Sequence, residues 1–195
     1  MTTFHQICGP KQRCDAKVLE QTIQLAVEIA REGREGRKIG TMFVVSDEKE
    51  TLKRSKNLIL DPLYGHPDDA KRICDPDMRE TVKELAQLDG AFIVSGDGVV
   101  ISAARYINAS AEEIDLPLGL GSRHVAAASI TRDTQAVAVV VSESSVVRIF
   151  DRGRLIAEII PEIWLFGKES IKVKDPIWES TIADLRIIST AEKKG

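Results

Sequence analysis

Residues 118–131 read LGLGSRHVAAASIT: two spaced glycines, then serine, arginine and histidine, then a run of alanines. The alanines favour a helix, and the glycine-rich loop places Ser122, Arg123 and His124 on its first turn, with Ser122 as the expected cap. Free N–H groups at such a helix start carry the positive end of the dipole and attract anions. Gly119 and Gly121 permit close backbone approach. Arg123 adds a planar fork suited to phosphate oxygens, and His124 adds a donor whose charge is expected to respond near neutral pH. The set describes a phosphate clamp without the lysine of a P-loop. Glycine-rich helix starts are common, and an Arg-His pair is more often a solvated surface feature, so the clamp needs partners from elsewhere.

Two segments supply candidates. In LDGA, residues 88–91, Asp89 is a carboxylate standing before Gly90 and Ala91 at a helix-to-strand junction. In VVVSES, residues 139–144, Ser142 and Glu143 follow an apolar strand, so a hydroxyl and a carboxylate emerge at its end. Ligands of open α/β sheets bind at such carboxyl edges. The bland alternatives are an aspartate that caps a bend and a polar strand terminus in solvent.

The elements around these residues alternate between helical and strand periodicity. Residues 16–36 carry Val18, Leu19, Ile23, Ala26, Val27 and Ala30 near helical spacing, ending by Gly33 and Gly36. KIGTMFVVSD follows as a strand buried on both faces. Residues 47–75, including DPLYGHPDD, predict a surface excursion with one short hydrophobic piece, NLIL. Asp75 then caps a helix with Pro76 at its first position, and Met78, Val82, Leu85 and Leu88 lie along one face. DGAFIVSGDGVVISAARYINAS predicts a hairpin turned at SGDG, with Gly96 and Gly98 at positive φ and Tyr106 just past the second strand. QAVAVVVSES and SVVRIFDRGRLIAEII supply further strands, the latter pair turned at DRG.

The expected architecture is an α/β single domain with a central mixed β-sheet flanked by α-helices. Residues 1–15 read as an N-terminal tail, 16–160 as the domain, and 161–195, with Trp164, Phe166 and Trp178, as a C-terminal extension packed on it that ends frayed. At 195 residues, 43% hydrophobic and 29% charged, the chain can bury one real core. A formal net charge of −3 gives no basic field for nucleic acid, so an anionic ligand must be held by local geometry. The apolar runs, such as AVAVVV at 136–141, are too short to span a membrane, and MTTFHQICGPKQRC lacks the apolar stretch of a signal peptide, which points to a cytoplasmic protein. Cys8, Cys14 and Cys74 form no C-x-x-C pair and no metal-ligand pattern.

DGA at 89–91, LGLGSRH at 118–124 and VVVSE at 139–143 together resemble the diadenylate cyclase domain, whose hallmark is a DGA motif followed by a G-[TS]-R-H-R motif. The resemblance runs from the first helix and GRKIGTMFVV through ARYINAS to DRGRLIAEI, and the charged insertion with GHPDD is more loosely similar to the archaeal-type branch. It implies condensation of two ATP into cyclic di-AMP and two pyrophosphates with a divalent metal ion, Mn or Mg. Asp89, Arg123 and His124 would then be catalytic. Gly90, Ala91, Tyr106, Ile107, Gly121, Ser122, Arg123, His124, Ser142 and Glu143 would bind substrate, Tyr106 and Ile107 bordering the adenine. Asp89 and Glu143 would hold the metal.

One position departs from the motif: Val125 stands where the family's commonest sequence has a second arginine, and Arg105 or Arg132 are the candidates to replace it. The departure keeps a second reading open, a catalytically weak homologue that binds ATP or cyclic di-AMP as a regulatory module. A pure scaffolding protein would show an exposed apolar patch or heptads, and neither is visible. The implied ring closure needs two nucleotides head to tail, while one small domain offers one pocket, so the expected partner is a second copy meeting it face to face.

Overall fold

The computed structural model describes residues 15–110, 114, 116–117, 119–161, 178–182 and 185–189, the last two segments as backbone. Helix α1 (Ala16–Glu32) starts at Asp15, whose carboxylate accepts from Lys17 N, and ends at Gly33. Strand β1 (Thr41–Val45) follows with every residue buried. The expected excursion carries structure of its own: α2 (Glu48–Lys53), β2 (Ser55–Asn57) and a 3-10 turn (Asp68–Lys71). Its hydrophobic piece faces solvent, with Leu60 93% exposed, while Leu63 and Ile73 supply the apolar anchors instead. Asp61 fastens the excursion to the sheet by accepting from Ser102 Oγ and Ala103 N.

Helix α3 (Pro76–Leu85) is capped by Asp75 as expected, the carboxylate accepting from Asp77 N and Met78 N. Met78 and Val82 are buried, whereas Leu88, beyond the helix end, is exposed. Then come β3 (Ala91–Val94), β4 (Val100–Ile107), α4 (Ser122–Asp133), β5 (Val137–Val141), β6 (Val147–Asp151) and β7 (Arg154–Ile160). In the β3–β4 turn only Gly98 takes a positive φ, and Tyr106 lies inside β4 rather than beyond it. The region past Pro161 contributes β8 (Trp178–Ile182) and β9 (Leu185–Ser189), which continue the sheet. Trp164, Phe166, Cys8 and Cys14 lie outside the described residues, and Cys74 is an exposed free thiol.

The described strands form one nine-stranded mixed sheet in the order β2-β4-β3-β1-β5-β6-β7-β9-β8. Only β1 and β3 are parallel, in the register Met42–Ala91 to Val45–Val94. Alternation along the strands divides the core between the two faces. Phe43, Val45, Phe92, Val94, Val137 and Val139 pack beneath α1 and α3, with the Phe43 and Phe92 rings stacked at 5.1 Å. Met42, Val44, Ala138, Val140 and Phe150 pack on the other face, against Ala127, Ala128 and Ile130 of α4. Among the described residues no helix is long and apolar enough to cross a membrane.

Ion pairs tie the two helices of the first face. Arg79 pairs with Glu28 at 2.5 Å, and Lys83 reaches Glu28 and Glu32 at 3.2 Å each and Glu80 at 2.9 Å. Burial opposes the charge on Lys83, but those three carboxylates outweigh it and hold the ammonium above its ordinary pKa. Arg34, just past α1, pairs with Glu84 and Glu80 of α3.

Candidate active site

The parallel β1–β3 pair and the antiparallel β1–β5 pair bring three loops to one edge of the sheet. Thr41 lies opposite Val141 and Met42 opposite Ala91, so the amino ends of β1 and β3 meet the carboxyl end of β5. Asp89 and Gly90 precede β3, Gly40 precedes β1, and Ser142 and Glu143 follow β5. The cluster thus lies at the carboxyl end of β5 but at the amino ends of the parallel pair, because β5 runs the opposite way. Across the sheet from these strands, α4 starts at the same edge.

Arg123 joins the pieces. Its Nη2 donates to Asp89 Oδ1 at 2.8 Å, and its Nη1 stands 3.5 Å from Glu143 Oε1. The guanidinium is about one-third exposed, while the carboxylates are 83% and 72% exposed, so the cluster opens to solvent. Gly40, which sequence reasoning missed, makes room for it: a Cβ there would stand 2.5 Å from Arg123 Nη1 and 3.3 Å from Glu143 Cγ. The requirement arises from tertiary approach and leaves no trace in local periodicity. Gly90 is equally constrained, at φ +109 with the backbone of Ala104 and Arg105 only 2.7 Å from a would-be Cβ. Ala91 is fully buried and faces the site through its backbone alone.

A cleft of about 230 Å³ opens beside the cluster. Arg123 and Glu143 line it together with Arg34, Arg37, Lys38 and Leu88, so its walls are the turn after α1 and the turn after α3. The basic residues of GREGRKIG were legible as charge, but their convergence on Arg123 depends on β1 lying beside β3 and β5.

His124 departs from expectation. It is 7% exposed, with its ring 6.1 Å from that of Phe150 on the sheet. Arg148 Nη1 lies 3.4 Å from Nε2, which must act as acceptor because a guanidinium only donates; Nδ1 has no hydrogen-bond partner among the described residues. Burial first, and the Arg148 cation next, push its pKa from 6.5 down to about 4, so the ring is neutral at pH 7 and its charge does not respond there.

Other expected residues are brought near with altered detail. The N-cap of α4 is Gly121, in an extended conformation, and Ser122 is the first helical residue with no capping side-chain bond. Ser142 is committed to the β5–β6 turn, its Oγ bonding Val146 O at 3.0 Å and lying 2.7 Å from Ser144 Oγ. Ile107 is buried, and the half-exposed Tyr106 has Lys56 Nζ 5.2 Å from its ring centroid, so one face is already covered. Both proposed substitutes for the second arginine have partners on their own elements or the neighbouring strand. Arg105 bonds Ser55 and the Leu52 carbonyl, and Arg132 sits in the last turn of α4 against Asp133.

Asp89 and Glu143 are hard oxygen donors on either side of one cation, a set that suits a divalent ion taking its remaining ligands from phosphate oxygens and water. Among the described residues no group of three or more His, Cys, Asp and Glu side chains gathers to hold a metal by protein ligands alone.

The family profile described as DisA bacterial checkpoint controller nucleotide-binding matches residues 28–155, which include the whole cluster. Over 160 residues the chain is 44% identical to a diadenylate cyclase from Methanocaldococcus jannaschii, covering 82% of this chain and 50% of that protein. Over 155 residues it is 39% identical to a diadenylate cyclase from Haloferax volcanii, covering 78% of this chain and 56% of that protein. The chain therefore spans about half the length of these relatives. A hypothetical membrane spanning protein from Bacillus cereus shares the fold, with a TM-score of 0.53 at 20% identity over 70% of this chain and 61% of that one.

Proposed function

Because the chain belongs to the diadenylate cyclase family, we propose that it joins two ATP molecules into cyclic di-AMP in the cytoplasm, releasing two pyrophosphates. The observation that carries this reading is the convergence of Asp89, Arg123 and Glu143, from three separate segments, at one solvent-open sheet edge. Each ribose 3′-oxygen attacks the α-phosphorus of the other nucleotide. A 3′-oxygen–phosphorus bond forms, the bond to the β-phosphate bridge breaks, and pyrophosphate leaves in line. Such chemistry is mainly positioning and charge neutralisation.

In this scheme Asp89 accepts the hydrogen bond of the attacking hydroxyl and takes up its proton. Arg123 turns its fork from the carboxylates to phosphate oxygens, and the Gly121–Ser122 helix start offers N–H donors to the same anion. The backbone of Gly90 and Ala91 borders the reacting end, and the half-exposed Tyr106 borders the adenine, while the Ile107 side chain stays in the core. Asp89 and Glu143 would hold a divalent Mg or Mn ion, which would supply charge neutralisation on the phosphates. His124, neutral and buried, acts by holding the first turn of α4 against the sheet. One pocket per chain and two nucleotides per ring require a face-to-face pair of subunits, making the enzyme a homo-oligomer during turnover.

Val125 favours one alternative, a weak cyclase that binds ATP or cyclic di-AMP as a regulatory module. Incubation with ATP and Mg²⁺ or Mn²⁺, followed by chromatography and mass identification, separates the two. A cyclic di-AMP peak that Asp89→Asn abolishes while ATP binding persists is the expected result. Nucleotide binding without product under either ion would move the assignment to the module.

A further inference from the structure

We propose that Arg37 binds the terminal phosphates of ATP, forming a subsite that reads the substrate's pyrophosphate and not the cyclic product; the inference rests on the cyclase reading above. The support begins with order along the sheet edge. Tyr106 and Ile107 end β4, Asp89 and Gly90 precede β3, Arg37 through Gly40 precede β1, and Glu143 follows β5. Neighbouring strands are about 4.8 Å apart. With adenine at β4 and the reacting α-phosphate at Asp89, the triphosphate tail continues toward β1 and β5, where Arg37 lines the cleft with Arg123.

Charge gives the second argument. Arg123 already faces two carboxylates, Asp89 and Glu143. A triphosphate adds several more negative charges, and Val125 provides none of the compensation an arginine would. Of the basic groups in the cleft, Arg34 is held by Glu80 and Glu84. The Arg37 side chain is exposed and makes no hydrogen bond or ion pair among the described residues. Its backbone is nevertheless fixed: Arg34 N donates to Arg37 O at 2.9 Å and Arg37 N to Arg34 O at 2.8 Å, closing a tight turn with Glu35 at φ 48 and Gly36 at φ 73. A cation on a fixed turn, uncommitted and facing a polar cleft, is placed to meet an anion.

The test compares Arg37→Gln with the wild-type chain by calorimetric titration of ATP, inorganic pyrophosphate and cyclic di-AMP, with thermal melting as a check of folding. The variant is expected to lose about tenfold in affinity for ATP and pyrophosphate and nothing for cyclic di-AMP, with Arg37→Lys recovering part of the loss. Unchanged ATP affinity, or equal weakening of ATP and cyclic di-AMP, overturns the subsite while leaving the cyclase reading intact. A wild-type chain that binds neither ATP nor cyclic di-AMP overturns both.

Discussion

Arg123 and His124 are adjacent in sequence and opposite in placement. Arg123 points to the open edge and bridges two carboxylates, while His124 turns under the helix against Phe150 and Arg148. The histidine has a measurable signature. Its folded pKa of about 4 lies below its ordinary 6.5, so the unfolded chain binds more protons between those values and stability rises with pH across that window. Thermal melting from pH 4 to 7 should therefore show a loss of stability on the acid side, smaller in His124→Gln, whose side chain does not titrate; an equal loss in both would refute the assignment. Asp89, Arg123 and Glu143 were legible in the sequence because motif and element boundary coincide at each. His124 was not, since the alanine-rich α4 has no marked apolar stripe to reveal which face meets the sheet, and its neighbour Arg148 is distant in sequence.

At the scale of elements, the helices and strands that bound the site follow local rules: Asp75 and Pro76 start α3, and a continuous apolar run makes β1 and β5 buried on both faces. The meeting of β3 and β4 is less local. Gly90 at φ +109 sits against Ala104, itself at φ 51, where the β3–β4 register shifts. This irregularity lies two residues from Asp89, at the start of β3. Gly90→Ala should lower stability by about 2 kcal/mol, or about 4–8 °C in Tm, and reduce turnover beyond that loss. Melting and initial rates measured on the same preparation check it, and an unchanged Tm would mean that the backbone can relax. The strand inside the excursion after β1 was hidden for a similar reason: β2 is three residues long and is a strand only because β4 offers it an edge.

For the whole molecule, the fold class and the mixed sheet were readable from alternating periodicity, but strand order was not, because the direction of β5 between β1 and β6 is fixed by core packing on both faces. The proposed chemistry places a further demand at this scale, since no single cleft closes a ring from two nucleotides. At protein concentrations below the dimer dissociation constant, the rate of cyclic di-AMP formation should rise with the square of protein concentration, becoming linear once dimers dominate. A strictly linear rate down to concentrations at which sedimentation shows only monomer would refute face-to-face pairing.

The ion pairs between α1 and α3 bear on this cleft from a distance. One helix leads into the turn of Arg37, and the other ends shortly before Asp89. Arg79 and Lys83, with their glutamates, therefore act as the spacer of a caliper, setting the gap between its jaws from outside the cleft that Arg34 lines. Under the proposed function, the length of nucleotide that the jaws accept would be gauged by helix surfaces outside the cleft.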